Sequence, residues 1–141
     1  MENNLLIALD GTNHSKNAVE KTRHLCSIMH NCRIHIIHVF TKSPSLNDLE
    51  SNHFNVSQLL YERAVQQLRP LLRLFEEANC QYHLEVAIGD PAKEILDYAK
   101  KIRPFMVIVG SRGLSTLGEV LLGSVSHKLV HESDIPVLVV K

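Results

Sequence analysis

Apolar positions along this chain alternate between two periods. Leu5-Leu6-Ile7-Ala8-Leu9 is a short unbroken apolar run closed by Asp10-Gly11-Thr12, the pattern of a strand buried on both faces and ended by a turn. Ala18, Thr22, Leu25 and Met29 then recur at helical spacing. Ile34, Ile36, Ile37 and Val39 mark a second strand over Arg33–Phe40. From Thr41 to Asn55 the chain is polar, carries Ser43-Pro44-Ser45 and Asn47-Asp48, and sustains no period, so a long loop is expected there. Val56, Leu59, Leu60, Ala64, Leu68, Leu71, Leu72 and Phe75 predict a long amphipathic helix, which Pro70 should kink by removing one backbone donor.

The second half continues the alternation. Tyr82–Ile88 reads as a third strand, and Gly89-Asp90-Pro91 supplies a turn, an N-cap and a proline at the first helical position. Ala92, Ile95, Leu96, Ala99 and Ile102 form the buried stripe of that helix, which Arg103-Pro104 ends. Phe105–Val109 is a fourth strand. Gly110 to Gly123 is a glycine-bearing connection with one helical turn near Val120, Ser124–Glu132 is a helix, and Pro136–Val140 is a fifth strand. Strand and helix alternate throughout, which implies one α/β domain over residues 1–141, a parallel sheet covered by helices on both faces, with right-handed crossovers. In such sheets ligands lie outside the carboxyl ends of the strands. Candidate chemistry therefore concentrates in the loops at Asp10, Phe40, Gly89 and Gly110.

Composition narrows the choice. The chain has 141 residues, with 15 Lys plus Arg against 15 Asp plus Glu, so no net field favours a nucleic-acid backbone or an anionic membrane. Its apolar runs fall far short of the roughly 20 residues that span a bilayer, and Met-Glu-Asn-Asn lacks a basic leader. A soluble, unexported, cytoplasmic protein is expected, without nucleic acid or membrane as partner. Cys26, Cys32 and Cys80 contain no C-x-x-C pair and cannot all pair within one chain, so reduced thiols are expected. Nine histidines could move the balanced surface several charges positive in mild acid.

Gly110-Ser111-Arg112-Gly113, followed after nine residues by Gly123-Ser124, lies between a strand and a helix, where a main chain can wrap an anion. Glycines permit close approach and positive φ, and Ser124 as N-cap would leave the amides of Val125, Ser126 and His127 at a helix start that attracts phosphate. The plainer alternative is that these glycines only make turns and a close helix–sheet contact. Rival motifs fail. Gly118 and Gly123 have the spacing of a P-loop, but Ser124-Val125 replaces its Lys and Ser/Thr. No G-x-G-x-x-G follows the first strand, and Ser115 lacks the closing glycine of a nucleophile elbow.

The G-x2-G-x9-G-S segment with Val125-Ser126, and the terminal Ile135-Pro136-Val137-Leu138-Val139-Val140-Lys141, resemble the ATP-binding branch of the universal stress protein family. Asp10 and Thr12 after the first strand, His38-Val39 near the end of the second, and Gly89-Asp90-Pro91-Ala92 at the third helix extend the resemblance over the whole chain. It implies a Rossmann-like five-stranded sheet ordered 3-2-1-4-5. It also implies that Leu9, Asp10 and Val39 surround adenine and ribose, while Gly110, Arg112, Gly113, Gly123, Ser124, Val125 and Ser126 surround the phosphates of ATP. Thr12 stands where serine is more frequent in the family, and the Arg112 position varies among members. A divalent ion, Mg2+ or Mn2+, would ride on the phosphates, since Asp10 is the carboxylate at hand.

Other features have plainer readings. His127 and His131 stand four apart on a helix, a zinc spacing without a third ligand placed by sequence. His35 and His38 lie on opposite strand faces as hydrogen-bonded residues rather than ligands, and Asp90 is an N-cap. In the order 3-2-1-4-5, Val137–Val140 form an edge strand, which invites a homodimer across a two-fold axis unless Pro136 and Lys141 blunt that edge. The expected function is an adenine-nucleotide-sensing regulatory dimer of the stress response that acts on other proteins, not an enzyme. A slow ATPase or phosphotransfer enzyme in the same pocket, and a nucleotide-free interaction module, are the alternatives; no base or lysine is positioned for the former.

Overall fold

A computed structural model of the chain describes residues 3–111 and 123–141. Five strands, β1 (Asn3–Ala8), β2 (Cys32–Phe40), β3 (Tyr82–Ile88), β4 (Met106–Gly110) and β5 (Val137–Val140), form one sheet in the order β3-β2-β1-β4-β5. Every neighbouring pair is parallel. Helices α1 (Lys16–Ile28), α2 (Leu46–Ser51), α3 (Val56–Glu77), α4 (Pro91–Ile102) and α5 (Ser124–Glu132) occupy the crossovers. The α/β architecture and strand order expected from the sequence are those observed.

Two apolar layers flank the sheet because successive side chains of a strand point to opposite faces. Leu5, Ile7 and Leu9 of the β1 segment join Ile34, Ile36 and Ile108 beneath α1 and α3, where Leu68, Leu72 and Phe75 close the layer. Leu6, Ile37, Val107 and Val109 face the other way and pack against Ile95, Ala99 and Leu129 of α4 and α5. Leu5, Leu6 and Ile7 have no exposed surface. Each such side chain contributes about 1.5–3 kcal/mol through burial. A continuous apolar run is thus what a strand needs when both of its faces are covered.

One departure from the sequence reading lies at α2. The stretch Thr41–Asn55 is not all loop: it contains α2, which has no buried residue and so leaves no apolar period to detect. A capping box starts it, with the Ser45 hydroxyl accepting from the Asp48 amide at 3.2 Å and the Asp48 carboxylate accepting from the Ser45 amide at 3.4 Å. Arg63 of α3 holds Asp48 at 2.9 Å, and this hydrogen bond, with that of Ser45, keeps the Asp48 carboxyl below its ordinary pKa. His53 and Phe54 then turn the chain through consecutive left-handed conformations, at φ 53° and 59°, into α3. Helix α3 continues from Val56 to Glu77 through Pro70, which supplies no N–H to the preceding turn. Its buried face, from Leu59 to Phe75, holds it on the sheet.

Candidate functional site

The carboxyl ends of β1, β2 and β4 open into one cleft, bounded by the first turns of α4 and α5. On the side of β1 and β2 it is lined by Ala8, Leu9, Asp10, Ile37, Val39 and Thr41; on the side of β4 by Val109, Gly110 and Ser111; and from the helices by Pro91, Ile95, Gly123, Val125 and Ser126. His14 and Ser15 complete the wall. One flank is therefore aliphatic, the other mostly main chain and hydroxyl. An arrangement of this kind suits a flat apolar ring at one end and an anion at the other.

Asp10 shapes the end of β1. Its Oδ1 accepts from the Thr12 amide at 2.9 Å, the Thr12 hydroxyl at 2.7 Å and the Ser15 hydroxyl at 3.0 Å. This side chain folds the backbone into a turn, and Gly11 at φ +84° supplies the left-handed residue that the turn requires. Thr12 therefore works as a brace for Asp10, and one oxygen of the carboxylate is engaged by the protein itself. A 3-10 turn at Asn13–Ser15 carries the chain from there into α1.

The start of α5 corrects one expectation. Gly123, not Ser124, is the N-cap, with φ −62° and ψ 161°, and Ser124 is the first helical residue. The His127 amide donates to the Gly123 carbonyl at 2.9 Å and is spent on the helix. Ser124, Val125 and Ser126 occupy the first three helical positions, where amides have no acceptor within the helix and the dipole is positive. The buried Ser126 hydroxyl donates back to the Gly123 carbonyl at 3.0 Å and fixes the cap.

A second correction concerns glycine conformation. Among the described glycines, positive φ occurs at Gly11 and Gly89; Gly110 and Gly123 have ordinary backbone angles. At Gly110 an added Cβ would stand 3.5 Å from the His14 carbonyl oxygen, an ordinary van der Waals contact, so neither backbone angle nor close approach demands glycine there.

The structure thus brings Leu9, Asp10, Val39, Gly110, Gly123, Val125 and Ser126 to one cleft. Ser124 sits at the same helix start but is exposed. Arg112, Gly113 and the helical turn expected near Val120 lie outside the described residues. Ser15, Ile37, Thr41, Pro91, Ile95 and Ser111 were not singled out from sequence. The signal for Ile37 and Thr41 was available, since both flank Val39 at alternating positions of the strand end. Ser15 and Ile95 enter through tertiary packing and leave no local mark. Asp90 caps α4, its carboxylate accepting from the Lys93 amide at 3.0 Å, and Lys128 of α5 stands 3.8 Å away. The His127 and His131 rings meet edge to face at 4.6 Å, and no group of three His, Cys, Asp or Glu side chains among the described residues is arranged for a metal.

The universal stress protein family model matches residues 1–141. A universal stress protein of Bacillus subtilis, YxiE, is 35% identical with full coverage of both chains. MJ0531 of Methanocaldococcus jannaschii is 30% identical over 97% of this chain and 81% of its own. Among solved structures, MJ0577 superposes with a TM-score of 0.74 at 24% identity, covering 100% of this chain and 96% of that one. A universal stress protein in complex with cAMP gives 0.70 at 20% identity over 99% and 96% of the chains, and an Arabidopsis thaliana family member with AMP bound gives 0.69 at 22% over 99% and 91%. No helix among the described residues is long and apolar enough to cross a membrane. A parallel sheet in the order 3-2-1-4-5 with a cleft at its switch point, matched from end to end by the family model, makes this chain a member of the universal stress protein family.

Proposed function

We propose that the cleft binds an adenine nucleotide, with ATP its principal guest, and that the chain works as a nucleotide-sensing regulator of the stress response. The observation that carries this reading is the convergence of an aliphatic slot, formed by Ile37, Val39, Ile95 and Val109, with the amide-bearing start of α5 in one cleft. The slot would take adenine by burying its faces, while the amides of Ser124, Val125 and Ser126 would receive phosphate oxygens. Asp10, held in its turn, would offer its carboxylate to ribose hydroxyls. Solved relatives with cAMP and AMP bound support the choice of an adenine ligand. Asp10 is the one carboxylate among the described lining residues, so Mg2+ or Mn2+ would enter on the phosphates.

The chain acts in this reading as a binder rather than an enzyme, in the cytoplasm, with other proteins reading its nucleotide state. Asp10 favours that role, since its Oδ1 is committed to three protein donors rather than left to activate water. Strand β5 would join two copies: its hydrogen bonds to β4 run along one side, and the other side presents an edge. Calorimetric titration with ATP, ADP, AMP and cAMP tests the proposal. Saturable one-site binding with ATP supports it, and the absence of heat with all four would overturn it.

A further inference from the structure

The three cysteines, far apart in sequence, meet at the opposite end of the sheet from the cleft. Cys32 opens β2, and the pairing Ile34↔Tyr82, carried back two residues, places Cys32 beside Cys80 at the entrance to β3. Cys26 comes down from the last turn of α1 to the same place. All three remain free, half-buried thiols on the edge of the apolar layer formed by α1 and α3. They also line one groove open to solvent, together with Arg23 and Ala78.

Packing sets the protonation state that two of these thiols keep. Burial, then the neighbouring thiols, push the Cys32 thiol up to about 12, and burial raises that of Cys80 as well. Thiols packed side by side with little water resist ionising, so Cys32 and Cys80 stay protonated and neutral near neutral pH.

We propose that Cys26 and Cys32 form a reversible intrachain disulfide when a hydroperoxide enters this groove, with Cys80 as a third thiol that exchanges into the bond. The Cys26 sulfur attacks the peroxide and breaks its O–O bond, and the proton that the thiol gives up goes to the leaving oxygen, giving a sulfenic acid and an alcohol, or water when the oxidant is hydrogen peroxide. The Cys32 sulfur then displaces the hydroxyl, its own proton leaving with that hydroxyl as water. In sum, two thiols and one hydroperoxide give one disulfide, one alcohol and one water. The bond would tie the last turn of α1 to the first residue of β2.

The test treats the full chain with hydrogen peroxide without nucleotide, then blocks free thiols and maps peptides by mass. The predicted product has lost two hydrogen atoms, links Cys26 to Cys32, retains one alkylatable thiol of the original three and reverts with dithiothreitol. Cys80→Ser should leave this bond intact, Cys32→Ser should move it to Cys26 and Cys80, and Cys26→Ser should slow intrachain crosslinking at least about tenfold. Wild-type protein that yields only separate oxygen adducts on the three cysteines, or only disulfides between chains, would overturn the proposal.

Discussion

The Nδ1 of His38 lies 2.7 Å from the main-chain oxygen of Leu9, so β2 grips β1 at the residue before Asp10. A carbonyl oxygen only accepts, hence Nδ1 carries the hydrogen. The ring is buried and meets Phe40 edge to face at 4.7 Å. His38 therefore fixes the level at which the turn of Asp10 begins. His38→Leu should leave the Leu9 oxygen without this donor and cost about 1–3 kcal/mol, read as a lower urea midpoint. The same variant should bind ATP several-fold more weakly. An unchanged midpoint would mean that the bond contributes nothing to the turn.

Gly123 has a backbone conformation open to any residue, so a side chain there tests space rather than strain. Gly123→Val should abolish ATP binding by putting a branched side chain where phosphate belongs, while weakening the cap by about 1 kcal/mol. Circular dichroism and a thermal melt report the fold, and calorimetry reports binding. Wild-type affinity in a folded Gly123→Val protein would remove the phosphate from this helix start.

On β5, the Pro136 carbonyl accepts from the Val107 amide at 2.9 Å and the Val140 carbonyl from the Ser111 amide at 2.7 Å. The strand's alternation then turns the Val139 amide toward the outer edge. Val139→Pro should remove that donor, spare the ladder to β4 and convert a dimer to monomer in sedimentation. A dimer that survives the change would place the contact elsewhere. The side chain of Val139 packs into the layer of α4 and α5, so an aspartate there would disturb the core as well as the edge.

Alkali should weaken the fold ahead of any general effect. Burial, and then the hydrogen bond to Glu76, push the Tyr82 phenol up to about 12; burial, and then the charge of Glu85, do the same for Tyr98, and the Cys32 thiol is raised alike. Their unfolded counterparts ionise from roughly pH 8.5 for cysteine and 10 for tyrosine. Between those values and about 12 the unfolded chain binds fewer protons than the folded one, so stability falls as pH rises through that window. Urea midpoints should drop steadily above pH 9, and Tyr82→Phe should flatten part of the slope. A midpoint constant to pH 11 would contradict these protonation states.

The sheet was legible because each strand is a short apolar run between punctuating residues: Tyr82–Ile88 and the helix Ser124–Glu132 match the observed limits residue for residue. Asp90 and Pro91 announced α4 through side-chain and backbone chemistry that acts locally. Helix α2 was hidden for the opposite reason, since a helix with no buried face carries no apolar rhythm, and only Ser45 and Asp48 marked its start. At the cleft, the start of α5 was readable from Gly123 and Ser124. The lining by Ser15 and Ile95 was not, because it depends on how α1 and α4 lean over the strand ends. Serine is the stronger N-cap residue by side chain, yet Gly123 holds that place in α5 and Ser124 follows it as the first helical residue.

Hydrogen exchange followed by mass spectrometry, with and without saturating ATP, measures the main-chain donors themselves. Strong slowing at Ser124–Ser126, with Leu46–Ser51 unaffected, is the predicted result. ATP that binds yet leaves those amides exchanging at the unliganded rate would contradict the assignment of the phosphates to α5.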